Sequence, residues 1–135
     1  MRIDPDPWLA VVFGHEAFRV SLPGDGADTA ALEAHARGRG GRAFYYAKVP
    51  AARVAQLQAL TAAGLRVVDV NVTLERGRCA GPCAEGAAPV RDARPADRDA
   101  LLGLASSCFV YSRFHLDPQV PPGVADAVKR AWVGN

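Results

Sequence analysis

Ala43-Phe-Tyr-Tyr-Ala-Lys-Val49 is the stretch from which the fold is read. Aromatic and β-branched side chains fill it, so it is expected as a strand. Pro50 follows and suits the first turn of a helix. Val54, Leu57, Leu60 and Thr61 then fall on one helical face, and Gly64 ends the run. Leu65 to Glu75 carries the clearest periodicity in the chain. Val68, Val70, Val72 and Leu74 alternate with Asp69, Asn71, Thr73 and Glu75, the pattern of a half-buried strand.

Toward the amino terminus, Trp8-Leu-Ala-Val-Val-Phe13 is a short apolar run rich in strand formers, and Phe18-Arg-Val-Ser-Leu22 resumes it beyond Gly14. Two short strands or one bent strand are expected there. Pro23-Gly-Asp-Gly26 is a turn cluster. Asp28 or Thr29 caps a helix through Leu32 and Ala36, which stops in Gly38-Arg-Gly-Gly-Arg42. The order is strand, helix, strand, helix, strand with short connections. It implies an α/β (α+β) lobe over residues 1–76: a small mixed sheet with helices on one face.

Residues 77–88 hold Gly, Pro, Ala and two cysteines without periodicity and read as a linker. Residues 89–135 form the second part. Pro89-Val90-Arg91 is read as a short strand. Arg94-Pro-Ala-Asp-Arg-Asp99 opens a helix, with Pro95 at its first position and two aspartates at its positive end. Leu101, Leu104, Ala105 and Cys108 make its apolar stripe, with Cys108 as a buried thiol. Pro121-Pro-Gly123 opens a last helix with Val124, Val128, Ala131 and Trp132 inward and Gly134 as its cap.

Composition narrows the function. The chain has 135 residues, 50% hydrophobic and 22% charged, which is enough for one domain or two small lobes. A net charge of +2 without a clustered basic face gives no case for nucleic acid. Met1-Arg-Ile-Asp-Pro-Asp-Pro7 is broken before any apolar run, and no run approaches the roughly 20 residues of a membrane span. A cytoplasmic protein is expected. Cys79, Cys83 and Cys108 are too few and wrongly spaced, even with His115, for a zinc pattern or a complete disulfide framework.

The densest chemistry lies in Cys108-Phe-Val-Tyr-Ser-Arg-Phe-His-Leu-Asp-Pro118, between two helical patterns. Arg91-Asp-Ala-Arg-Pro-Ala-Asp-Arg-Asp-Ala-Leu-Leu102 resembles the first strand and first helix of GNAT-type N-acetyltransferases. Ser112-Arg-Phe-His-Leu-Asp-Pro-Gln-Val-Pro121 and Ala127-Val-Lys-Arg-Ala-Trp-Val-Gly-Asn135 resemble one branch, the TDP-fucosamine acetyltransferase type, which acetylates the amine of a nucleotide-linked amino sugar. Phe44-Tyr-Tyr-Ala-Lys-Val-Pro50 and Leu60-Thr-Ala-Ala-Gly-Leu-Arg-Val-Val-Asp69 resemble its small front lobe.

The resemblance implies that Tyr111, Ser112, Arg113, Phe114 and His115 border the acceptor pocket, joined by Phe109. On that resemblance Arg113 would pair with a phosphate, and His115 would orient a hydroxyl or help take a proton from an ammonium. The plainer reading stands beside this one: Phe109 and Phe114 as core, Arg113 as a helix-end or carboxylate partner, His115 as a structural histidine, Asp117 as a turn former.

The family's cofactor is acetyl-CoA, held after its fourth strand by a segment of the type Gln/Arg-x-x-Gly-x-Gly/Ala. No such segment is found in these residues. Arg37-Gly-Arg-Gly-Gly-Arg42 has the composition but follows a helix and precedes a strand, the reverse of the needed order. No catalytic, cofactor or metal residue is assigned, and no Ser-His-Asp or Cys-His set is evident. The expectation is therefore the acceptor-side part of such an enzyme, inactive alone, completed by a missing carboxyl-terminal half or a second protomer. The alternative is a non-catalytic sugar-nucleotide-binding or protein-interaction module.

Overall fold

The computed structural model describes residues 1–26, 28–75 and 90–134. The elements are β1 (Arg2–Pro5), α1 (Pro7–Phe13), β2 (Glu16–Ser21), α2 (Ala30–Gly38), β3 (Ala43–Ala47), α3 (Val54–Ala62), a 3₁₀ turn (Pro95–Asp97), α4 (Arg98–Ser107), α5 (Arg113–Leu116) and α6 (Pro122–Gly134). The small α/β fold read from the sequence is present. The sheet is mixed, in the order β1-β2-β3. β1 and β2 are antiparallel, with Ile3 opposite Val20. β2 and β3 are parallel, with Phe18 opposite Tyr45.

Several expectations change. Trp8–Phe13 is a helix rather than a strand. The Asp6 carboxylate accepts the Leu9 N–H at 2.9 Å, Pro7 stands in the first turn, and Gly14 at φ 68° closes the helix in the left-handed conformation. These end signals outweigh the β propensity of Val11 and Val12, and Leu9, Val12 and Phe13 turn inward together.

Leu65–Glu75 forms no strand. Val70, Val72 and Leu74 are 75%, 71% and 87% exposed. Alternation prepares a strand, but a strand exists only with a partner ladder, and β1 takes the third place in the sheet.

The helices cover both faces of the sheet rather than one. In β3 the pleat sends Tyr45 and Ala47 to one side, where Val20, Leu32 of α2 and Leu60 of α3 pack. Phe44 and Tyr46 go to the other, against Leu9 of α1, Phe114 of α5, and Ala125 and Val128 of α6. This second cluster joins residues from both sides of the stretch read as a linker. That stretch, with Cys79 and Cys83, lies outside the described residues. Val90 and Arg91, read as part of a strand, belong to no regular element.

α4 starts where expected. Arg91 grips Asp97 at 2.7 and 2.9 Å, and the same carboxylate accepts the Arg94 N–H at 2.8 Å. Its buried stripe is Leu102 and Ala105, so the expected inward Leu101, Leu104 and Cys108 are exposed. α4 lies against α6, which sets the angle at which its face is buried. On α6 the inward residues are Ala125, Val128 and Lys129; Trp132 is 66% exposed and Gly134 is the last helical residue rather than a cap beyond it. Among the described residues no helix is long and apolar enough to cross a membrane.

Candidate functional site

α5 is a single turn whose carbonyl start is Ser112, which accepts the N–H groups of His115 at 2.8 Å and Leu116 at 2.9 Å. The turn drives Phe114 into the core, 3% exposed, beneath Phe13. Arg113, one residue earlier, lies at the core's edge. Its guanidinium carbon stands 4.8 Å from the Tyr46 ring centre and 4.6 Å from that of Phe114. A cation over two ring faces gains roughly 0.5–2 kcal/mol per contact, more when water is excluded.

Arg113 and Phe114 belong to a cleft of about 180 Å³ lined also by Asp6, Trp8, Leu9, Val128 and Trp132. Ligand pockets commonly span about 300–1,000 Å³, so this cleft is sized for one group of a ligand. Asp6 is held in place from both sides. One oxygen caps α1, and the other accepts the Tyr46 hydroxyl at 2.9 Å. Burial, then the bond to Asp6, pushes the Tyr46 phenol above its ordinary value, so it stays a neutral donor.

The remaining residues of the aromatic stretch lie elsewhere. Tyr111 is 82% exposed and outside the cleft. Phe109, read as core, is half exposed and forms a platform under Lys129. Ser112 and His115 form a polar row. The Ser112 hydroxyl is 2.7 Å from His115 Nδ1, and His115 Nε2 is 3.0 Å from Asp126 of α6.

In the neutral imidazole, a carboxylate partner, which only accepts, places the proton on Nε2 and leaves Nδ1 to accept from the Ser112 hydroxyl. The structure therefore assembles a Ser-His-Asp row that the sequence reading did not find, because Asp126 comes from the next helix. His115 serves as a well-partnered histidine, and the free end of the row is the Ser112 oxygen.

Sequence reasoning also missed Asp6, Trp8 and Lys129. Asp6-Pro7 was legible as a helix start. Lys129 was not, because its burial depends on Phe109 and Trp132, whose rings each lie 4.9 Å from its amine. Burial first, then the Arg113 charge, pulls the Lys129 ammonium below its ordinary value.

Neither glycine-bearing turn beside α2 is arranged to cradle acetyl-CoA's pyrophosphate. Arg37–Arg42 follows α2 and leads into β3, so its amides face no helix start. The turn from β2 to α2 has glycines in the needed order, but Asp28 already accepts the Ala30 N–H at 2.9 Å and adds negative charge there. Among the described residues, no cluster of three His, Cys, Asp or Glu is placed to hold a metal. No protein-family model, no curated protein and no solved structure matches this chain.

Proposed function

We propose that the chain provides the acceptor side of an N-acetyltransferase of the GNAT type, acting on a nucleotide-linked amino sugar. The observation that supports this most is Arg113. It is held between Tyr46 and Phe114 at the mouth of a cleft and makes no ion pair among the described residues. A guanidinium fixed by aromatic faces keeps its donor edge for a phosphate, which it grips through two parallel hydrogen bonds. Phe114 supplies the apolar floor, and Asp6 with Tyr46 supplies polar groups for a sugar hydroxyl or amine. Acetyl-CoA brings the acyl group in such enzymes, and no residue of this chain is assigned to hold it.

Calorimetric titration tests the reading. A TDP-linked amino sugar is expected to give saturable heat that Arg113→Ala abolishes, while acetyl-CoA gives none. Absence of any sugar-nucleotide heat overturns the acceptor reading. Saturable acetyl-CoA binding overturns the assignment of the cofactor away from these residues. The exposed alternating segment Leu65–Glu75 favours the second reading, a protein-interaction module, since an unpaired strand former is a template for another chain. A size that rises with concentration in light scattering, and falls back in a variant with Val70 and Val72 changed to Thr, is its signature.

A further inference from the structure

We infer that the cleft lined by Asp6 and Arg113 is a seat for a zwitterion: a small molecule whose ammonium is taken by the Asp6 carboxylate and whose oxyanion, a phosphate or a carboxylate, is taken by the Arg113 guanidinium. This deepens the acceptor-site reading, and rests on it only for the sugar and nucleotide that would carry the two charges.

The cleft of about 180 Å³ has one acidic and one basic side chain in its lining, Asp6 and Arg113. Both are half-buried. They make no ion pair with each other, nor does either make one elsewhere among the described residues. Two opposite charges thus share one cleft, and each lacks a charged partner.

What keeps them apart is on both sides of Tyr46. Its ring lies under the guanidinium, 4.8 Å from the Arg113 carbon, and its hydroxyl donates to Asp6 at 2.9 Å. Phe114, 4.6 Å away, is the second support of Arg113, and the Leu9 N–H, at 2.9 Å, is the second anchor of Asp6. Moving either charge to meet the other breaks these contacts. Both charges are fixed around one aromatic ring, a separation that one small molecule can span.

Both donors to Asp6 are neutral, so the carboxylate keeps its full charge, and each oxygen keeps a lone pair for an ammonium. Arg113 keeps its donor edge for an oxyanion. A bare anion at Arg113 is opposed by the Asp6 charge, and a bare cation at Asp6 by the Arg113 charge. A molecule that carries both signs meets an opposite charge at each end, and the cleft selects it by rejecting either half. Trp8 and Trp132 line the same cleft, and indole is the best of the aromatic partners for an ammonium.

These are also the chain's two tryptophans, so intrinsic fluorescence reports on the cleft directly. The probe is 2-aminoethyl phosphate, which carries both charges, against ethyl phosphate, which lacks the ammonium, at matched ionic strength. A saturable change is expected with 2-aminoethyl phosphate, at a dissociation constant about tenfold or more below that of ethyl phosphate. Asp6→Asn removes the charge but keeps the helix cap, since asparagine caps as well as aspartate. It should erase the advantage of the aminated probe to within about twofold. Arg113→Met should raise the dissociation constant of 2-aminoethyl phosphate about tenfold or more. Circular dichroism reads the folding of each variant.

No saturable response to 2-aminoethyl phosphate overturns the seat. So does equal binding of ethyl phosphate, an advantage of the aminated probe that survives Asp6→Asn, or an Arg113→Met variant that binds like the parent. A titration with 3-aminopropanoate assigns the source of the oxyanion. Weaker binding than 2-aminoethyl phosphate supports a phosphate, as in an amino sugar phosphate, and tighter binding supports a carboxylate, as in a free amino acid. A TDP-linked amino sugar separates the two readings. Binding of 2-aminoethyl phosphate without a response to that nucleotide keeps the seat and removes the nucleotide-sugar reading. Nucleotide-sugar binding indifferent to Asp6→Asn does the reverse.

Discussion

The two faces of the sheet differ in what they bury. On one, Val20, Leu32 and Leu60 close against each other, and the polar group beside them, Gln56, spends its amide on the Gly24 and Gly26 carbonyls at 2.8 and 3.0 Å. On the other, Leu9, Phe114 and Val128 make an equally apolar floor, but Arg113 and Lys129 stand at its rim on aromatic rings. The first face satisfies every group it buries. The second carries Arg113, without an ion pair among the described residues, at a cleft it shares with Asp6.

The residue shared by core and cleft tests the contrast most severely. Phe114→Ala is expected to cost about 3–5 kcal/mol in urea denaturation and to abolish sugar-nucleotide binding, because the ring is both core and floor. Leu60→Ala, on the closed face, should cost about 2–5 kcal/mol yet leave the sugar-nucleotide affinity of the folded protein unchanged. A binding loss there would show that the faces are not separable.

Asp6→Ala should cost about 1 kcal/mol as a lost helix cap. It should also let the Tyr46 phenol ionise at lower pH, read by ultraviolet difference spectroscopy, because the bond to Asp6 is the second cause of its upward shift. The sign follows from linkage. A raised folded value contributes stability below the ordinary tyrosine value of 10.0, which is lost as pH climbs through the folded one, so the variant loses that contribution.

Lys129→Met is the smallest effect on stability and has the opposite sign. Removing a desolvated cation is expected to be neutral or to stabilise by up to about 1 kcal/mol. In the parent the depressed Lys129 value means the unfolded chain holds more protons between that value and 10.5, so this group's contribution makes stability rise with pH there. The Met variant should lose that rise, as thermal melts across alkaline pH would show.

The segments Ala43–Ala47 and Leu65–Glu75 show how far pattern alone reaches. Both carry strand-forming side chains. The first is paired along its length with β2, and the second, with the stronger alternation, is paired with nothing described. Trp8–Phe13 errs the other way, since valines read as strand yielded to the Asp6 cap and Gly14. Arg113 and Phe114, which line the cleft, were legible as candidates because they stand in one short stretch. Asp6 and Lys129 were not, because about forty residues or a helix turn against an unseen ring separate them from their partners.

The sequence by itself determined what depends on neighbours along the chain. It set the helix start at Thr29 and at Pro95, the stop at Gly38, the strands at Phe18–Val20 and Ala43–Ala47, and the concentration of chemistry around Arg113. Tertiary structure decided which alternating segment found a ladder, which side of α4 and α6 turned inward, and that Arg113 came to one cleft with Asp6 and Trp8. Caps and periodicity act over one or two turns of backbone. Strand pairing, burial and the desolvation of a charge are set by residues that only folding brings within reach.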